Sequence, residues 1–118
     1  MRLQFGPTSY QLFAREQSGS FLAYACRGDS EERYGIETVG TSAADAISKL
    51  TRWLEWQHQH TDALERLQDA ERGYHRKMAS AAFADDRTGV DTARKQALET
   101  MTAARNHLDD VRARRPNV

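Results

Sequence analysis

The sequence predicts an α+β fold, in which an N-terminal antiparallel sheet of three to four strands packs on a long helix that continues into an antiparallel two-helix hairpin. Apolar and aromatic residues alternate in short runs broken by glycine up to Gly40. After Ser42 the apolar residues recur every three or four positions, and the next proline is Pro116. Alternation with period two is typical of strands and a period of 3.6 is typical of helices. The change of period therefore marks the boundary between sheet and helix.

Short runs with the pattern of strands precede this boundary. They span residues 2–5, 9–16, 21–26 and 33–39. Within the second run, Tyr10 and Leu12 alternate with Gln11 and Phe13, which assigns the two pairs to opposite faces of the sheet. Residues 17–20 read Gln-Ser-Gly-Ser, a composition that predicts a tight turn between two antiparallel strands. Because so small a sheet needs a cover on one face, the following helix is the expected cover.

The first helix is predicted to begin after Ser42, which serves as its N-cap, with Asp45 as the acidic residue of a capping box. It is predicted to extend to about Phe83. One apolar sector of this helix should face the sheet, and it contains Ile47, Leu50 and Leu54. A second sector should face another helix, and it contains Trp53, His60, Leu64, Leu67, Tyr74, Met78 and Ala81.

A turn over residues 84–89, with Thr88 as the next N-cap, leads into a second helix with a narrow apolar stripe. Antiparallel return of this helix sets Val90 near Ala81 and Leu108 near Leu64. The predicted seam consists of Leu64, Leu67, Tyr74, Met78, Val90, Ala97, Met101 and Leu108. We therefore divide the chain into a β-β-β-α platform, residues 1–57, and a helical hairpin arm, residues 58–118, on one continuous helix. Because a two-helix arm buries little apolar surface, we expect two copies to form a homodimeric four-helix bundle.

Composition and charge make several functions poor candidates. The chain has 17 basic and 17 acidic residues, and residues 1–41 carry four and five of them. Sequence-independent nucleic-acid binding usually needs a basic excess, which is absent here apart from a C-terminal cluster that includes Arg112 and Arg115. No apolar run approaches the ~20 residues of a membrane span, and no secretory signal opens the chain. We expect a cytoplasmic protein without a membrane segment or cofactor, in which Cys26 is a small buried residue.

Four aromatic residues are candidates for binding a partner protein, because aromatic side chains dominate the energetics of interfaces. They are Tyr10, Tyr24, Trp53 and Trp56. For the two tryptophans, packing in the core where sheet, first helix and hairpin base meet is the preferred interpretation, and binding a partner is the alternative. No nucleophile motif or glycine-rich phosphate loop is present, so the sequence predicts a protein without catalytic activity.

Histidines offer a competing hypothesis of a metal-dependent protein or enzyme. His58 and His60 point about 200° apart on a helix and cannot hold one ion together. His58 and Asp62 are four residues apart and could supply half of a zinc site. His107 could approach His60 across the hairpin, so a site using His58, His60 and His107 stays open as an alternative.

The segment from Tyr10 to Tyr24, Tyr-Gln-Leu-Phe-Ala-Arg-Glu-Gln-Ser-Gly-Ser-Phe-Leu-Ala-Tyr, resembles the opening of HicB-type antitoxins. Gly-Thr-Ser-Ala-Ala-Asp-Ala at residues 40–46 stands where the helix of those domains begins, and the similarity spans residues 9–57. The resemblance implies a non-catalytic domain that binds and blocks a partner protein, often an RNA-cleaving toxin. It does not extend to DNA binding, because the C-terminal part matches neither a helix-turn-helix nor a ribbon-helix-helix pattern.

The function predicted from these observations is that of a small non-catalytic protein-binding or adaptor protein, in its sharper form an antitoxin-like inhibitor of a partner, which self-associates through its hairpin. A metal-dependent protein or enzyme and a nucleic-acid-binding regulator are the alternatives.

Overall fold

A computed structural model of the chain describes residues 1–83 and 87–118, the side chains of residues 87 and 88 excepted. Its elements are β1 (Arg2–Phe5), β2 (Thr8–Gln17), β3 (Ser20–Arg27), β4 (Arg33–Gly40), α1 (Ala43–Ala81) and α2 (Arg87–Ala113). The predicted α+β class is confirmed, with a four-stranded sheet followed by two long helices that pack on each other. Helix α2 begins one residue before Thr88, and the predicted turn residues 84–86 lie outside the described residues.

The sheet is an antiparallel meander with strand order β1-β2-β3-β4. Strands β2 and β3 are joined at the predicted position by Ser18 and Gly19, which have φ values of 54° and 81°. Two consecutive residues with positive φ are typical of a type I′ turn, whose twist matches that of the flanking strands. The short strand β1 also pairs with β2, so the sheet has the larger of the two strand numbers expected from the sequence.

An irregularity between β3 and β4 interrupts the otherwise regular pairing. Ala23 pairs with Thr38 and Ala25 pairs with Tyr34, so three residues of β4 lie opposite one residue of β3. Gly35 lies in this bulge with φ of 77°, in the left-handed region that favours glycine. A Cβ atom on Gly35 would lie 2.7 Å from Cζ3 of Trp53, so the glycine leaves room for the indole ring.

The predicted start of α1 is confirmed in detail. The Ser42 hydroxyl accepts a hydrogen bond from the Asp45 amide at 3.0 Å, and the Asp45 carboxylate accepts one from the Thr41 amide at 3.0 Å. The carboxylate thus binds the amide before the N-cap residue, one position earlier than in the usual capping box. This bond lowers the pKa of Asp45 from its ordinary value. Gly40 lies so close to the helix that a Cβ atom would be 2.5 Å from the Ala46 nitrogen.

The described residues form two compact units, residues 1–58 with 115–118, and residues 59–114. In the first unit, one face of the sheet is covered by the start of α1, and we call this face the inner face. Its core is apolar, with one buried Thr38 hydroxyl that donates to the Ala46 carbonyl at 2.6 Å. The core residues are Tyr10, Leu12, Ala23, Ala25, Ala46, Leu50, Trp53 and Leu54.

The position of Trp53 corrects its predicted assignment. The sequence grouped Trp53 with the residues that face another helix, but the side chain belongs to the core beneath the sheet and is 8% exposed. The reason is the bulge in β4, because Gly35 leaves a space that only a large side chain from α1 fills. Ile47, Leu50 and Leu54, the sector predicted to face the sheet, do pack there.

The second unit is an antiparallel pair formed by residues 59–81 of α1 and by α2. The Arg112 Nε donates to His60 Nε2 at 3.4 Å, and Arg105 lies 4.0 Å from the Glu71 carboxylate. These pairs match the register predicted from the apolar stripes. Of the predicted seam, Ala97 and Leu108 are buried, whereas Leu64, Leu67, Tyr74, Met78, Val90 and Met101 are half-buried. Ala63 is fully buried although it was absent from the predicted seam.

Candidate interaction surfaces

The structure separates the four aromatic residues predicted to bind a partner. Tyr10 and Trp53 are each 8% exposed in the core of the first unit, so the fold does not present them to a partner. For Trp53, core packing is the preferred interpretation of the sequence, and its burial agrees with it. Trp56 is half-buried, and the Arg115 guanidinium lies 5.5 Å from its ring centre. Only Tyr24 lies on the face of the sheet that α1 does not cover.

Tyr10 belongs to an aromatic cluster on the inner face. Its ring centre lies 5.3 Å from that of Tyr34 and 6.1 Å from that of Phe5. Burial raises the pKa of the Tyr10 phenol, and the neighbouring Tyr34 raises it further. Phe5 in turn stacks on His58 at 4.9 Å, and Arg27 lies 4.6 Å from the Tyr34 ring centre. The cluster joins three strands to the helix, which is a structural role.

The opposite face of the sheet, which we call the outer face, carries an apolar band. Phe13 and Tyr24 are directly opposite each other on β2 and β3, and Leu22 and Val39 are directly opposite each other on β3 and β4. We call these four residues the outer band. Phe13 is 42% exposed and Val39 is 55% exposed, high values for large apolar side chains on a regular sheet. The alternation of the sequence had placed Phe13 on the face opposite Tyr10, but Leu22 and Val39 were not among the predicted site residues.

Aromatic and cationic contacts hold the centre of the outer band in place. The rings of Phe13 and Tyr24 stack with centres 5.4 Å apart and an angle of 26° between their planes. The Arg33 guanidinium lies 4.3 Å from the Tyr24 ring centre and also pairs with Glu37. Since β2 and β4 flank β3, Phe13 and Arg33 contact Tyr24 from opposite sides. The Tyr24 ring is therefore held by one side chain from each of the two flanking strands.

A recess of ≈ 370 Å³ adjoins the outer band and is bordered by the loop between β3 and β4. Cys26 is buried beside it, and its thiol donates to the Glu31 carbonyl at 3.6 Å. Asp29 and Glu31 also line the recess, whereas Arg33 lies beside Tyr24. The outer face thus combines an apolar centre with acidic groups next to the recess and a basic group on β4.

The histidines do not form a ligand set. His58 stacks on Phe5 in the first unit, His60 accepts from Arg112 in the second, and His107 is exposed. Within residues 1–83 and 87–118, no group of three or more histidine, cysteine, aspartate or glutamate side chains could hold a metal ion.

A groove runs along one side of the hairpin in the second unit. It consists of two adjoining cavities of ≈ 450 and ≈ 500 Å³, which share Gly73 and Lys77. Helix α2 contributes small side chains to its floor, including Ala93, Ala97 and Ala104. Among the hydrophobic side chains described between residues 64 and 107, Ala97 alone is buried. The hairpin therefore leaves most of its apolar seam partly open to solvent.

No protein-family model, curated protein or solved structure matches this chain. In the part of the chain that the structure describes, neither helix is long and apolar enough to cross a membrane.

Proposed function

We propose that this chain is a small non-catalytic adaptor that binds another protein through the outer band of its sheet. The observation that carries the proposal is the exposure of Phe13 and Val39 on a sheet whose other face is fully used by α1. Leaving large apolar side chains in water gives up roughly 25 cal/mol for each Å² that burial would cover. A partner that covers the band would recover this free energy.

The chemistry of the outer band favours a protein over a nucleic acid. Proteins that bind single strands offer free aromatic faces on which bases stack, along a positively charged path. Here the Tyr24 ring already contacts Phe13 and Arg33, and Arg33 is paired with Glu37. An apolar centre beside charged groups of both signs is the usual composition of a protein interface.

The sharper form of the proposal is inhibition of the partner. It is supported by the resemblance of residues 9–57 to HicB-type antitoxins, which implies a domain that blocks a bound protein. The proposal also includes self-association through the hairpin, supported by its partly open seam. A self-associated adaptor would carry two copies of the outer band and could bind two partners, or one partner twice.

Cross-linking in the source cells, followed by purification and mass spectrometry, tests the proposal with three forms of the full chain. They are the unaltered protein, the double variant Phe13→Ser/Val39→Asp, and a control, Leu98→Asp. Leu98 is 45% exposed on α2, so the control changes a similarly exposed apolar residue outside the sheet. Circular dichroism confirms that all three forms are folded. We expect one protein to be recovered with the unaltered and control forms and reduced at least about tenfold with the double variant, because hot-spot residues carry most of the binding energy.

We expect the purified partner to bind the unaltered protein directly. The activity of the partner is then measured with and without this chain. Equal recovery of every protein by the unaltered chain and the double variant would contradict the proposal. Recovery of RNA in place of a protein, with binding that falls steeply as salt rises, would favour the alternative of a nucleic-acid-binding regulator. A partner that binds but keeps its full activity would leave the adaptor function standing and remove the inhibitor form.

A further inference from the structure

Gly73 lies near the middle of the part of the groove that α1 lines, which runs from Arg66 to Ala81. Besides Tyr74 and Ala81, the groove residues of this helix lie three, four and seven positions on either side of Gly73. These six are Ala70 and Arg76, Asp69 and Lys77, and Arg66 and Ser80. With a rise of about 1.5 Å per residue, this helical part of the groove is about 22 Å long. It is long enough to hold three to four turns of another helix.

No contact among the described residues requires glycine at position 73. Glycine is disfavoured within a helix relative to alanine. A Cβ atom on Gly73 would meet nothing within 4 Å beyond the local helix backbone, and its φ is not in the left-handed region. The chain could therefore carry alanine there at no steric cost. Glycine at this point would allow another backbone to approach from outside the chain, as in close helix crossings.

Asp69 and Lys77 are complementary under a two-fold rotation about Gly73, which leaves the other two groove cations, Arg66 and Arg76, opposite the uncharged Ser80 and Ala70. Asp69 lies four residues before Gly73 and Lys77 lies four residues after it. A two-fold axis through Gly73 brings Asp69 of each copy opposite Lys77 of the other, because in such an interface residue i meets j and j meets i. Asp69 also pairs with Arg72 of its own helix, but both side chains of that pair are mostly exposed, so it is weak and easily exchanged.

We propose that a second copy of this chain occupies the groove, with its α1 helix crossing the first antiparallel and the two Gly73 residues in contact on the two-fold axis. Two symmetric pairs between Asp69 and Lys77 set the register. The half-buried groove residues Ala70, Tyr74 and Ala93 become covered as the second copy enters the groove. This inference rests on the self-association in the proposed function and specifies its geometry.

Sedimentation velocity over a range of micromolar concentrations tests the close approach at Gly73. Gly73→Leu adds a side chain on the axis and should raise the dissociation constant at least about tenfold, because a packed contact does not accept the added volume. The matched control is Ala79→Leu, which adds similar bulk at an exposed position of α1 outside the groove. The control should leave the dissociation constant within about threefold of the unaltered protein. Helicity measured by circular dichroism should not fall in either variant.

A charge exchange tests the register. Lys77→Asp replaces attraction by repulsion at both symmetric pairs and should raise the dissociation constant about tenfold. The double variant Asp69→Lys/Lys77→Asp restores opposite charges across the axis and should return the dissociation constant to within about threefold of the unaltered value. Interactions within a single helix cannot produce this recovery, because the exchange places a lysine three residues from both Arg66 and Arg72, which repel it.

Disulfide formation tests the axis directly. In a Cys26→Ser background, Gly73→Cys should form a disulfide-linked dimer on mild oxidation, since two Cα atoms on an axis of close contact lie within the ~7 Å limit of a disulfide. Ala79→Cys in the same background should not.

A protein that is monomeric at all concentrations would overturn both this inference and the self-association. A dimer without Gly73 cross-linking and without recovery in the charge exchange would overturn this inference alone. If a helix of another protein occupies the groove, the thiol of the Gly73→Cys variant would be protected from chemical modification only when that protein is present. This result would also overturn the inference.

Discussion

Replacing Gly35 by alanine should destabilise the first unit by about 2–5 kcal/mol. The backbone contributes about 1–2 kcal/mol, because φ at Gly35 is 77° and a Cβ atom is strained in this region. Contact with the indole contributes about 1–3 kcal/mol more, which is the usual cost of overpacking a core. The new Cβ atom would lie 2.7 Å from Cζ3 and 3.2 Å from Cη2 of Trp53, and the ring is enclosed by the core and cannot retreat freely.

Urea unfolding followed by tryptophan fluorescence measures this loss, because Trp53 and Trp56 both lie in the first unit. Gly19→Ala is the matched control. Gly19 has φ of 81°, close to that of Gly35, but a Cβ atom there has nothing within 4 Å. The control should therefore cost about 1–2 kcal/mol, the backbone contribution alone. The difference between the two variants isolates the contact with Trp53.

A double-mutant cycle completes the test. Phenylalanine at position 53 does not extend as far as the six-membered ring of tryptophan, so Gly35→Ala should cost at least about 1 kcal/mol less in a Trp53→Phe background. Equal losses of stability for Gly35→Ala and Gly19→Ala would refute the reasoning. So would a cycle in which the two changes at Gly35 and Trp53 are additive.

Three further predictions concern the start of α1. Gly40→Ala should cost about 2–3 kcal/mol in the same unfolding assay, because its Cβ atom would lie 2.5 Å from the Ala46 nitrogen and backbone cannot move aside as a side chain can; an unchanged midpoint would contradict the close approach. Ser42→Ala should cost about 1 kcal/mol through loss of the bond to the Asp45 amide, and Ser42→Thr, which keeps the hydroxyl, should recover most of it. The pKa of Asp45 is lowered in the folded state, first by the bond from the Thr41 amide, so its contribution to stability is present above the ordinary pKa of 3.8 and is lost as pH falls through the lower folded value. The Asp45→Asn variant should therefore show a smaller fall of the urea midpoint between about pH 7 and about pH 3 than the unaltered protein, and an identical fall would exclude Asp45 as a contributor.

Local patterns in the sequence predicted most of the secondary structure. The alternation of Tyr10 and Leu12 with Gln11 and Phe13 identified both faces of β2, because side chains of a strand alternate whatever covers them. Ser42 and Asp45 identified the start of α1, because an N-cap satisfies amides within one turn. The stripe of α2 gave the register of the hairpin in the same way, since residues three and four apart share one face of a helix.

The candidate binding surface was predicted less well. Of the four aromatic residues proposed from the sequence, only Tyr24 lies on the open face of the sheet, and Phe13, Leu22 and Val39 complete the outer band. An aromatic residue looks the same in the sequence whether its side chain packs in a core or binds a partner. Which of the two it does depends on the face that α1 covers, and that contact includes residues far apart along the chain, such as Phe5 and His58.

The sequence by itself therefore determined the strands, the turn at Ser18 and Gly19, the cap at Ser42 and the apolar stripe of α2, because each depends on residues within a few positions of one another. The tertiary structure decided the position of Trp53 against Gly35, the burial of Ala63 and the exposure of the outer band. These depend on how surfaces distant in sequence fit together. A residue is buried only when two surfaces pack on each other, whereas the periodicity of a sequence describes one surface alone.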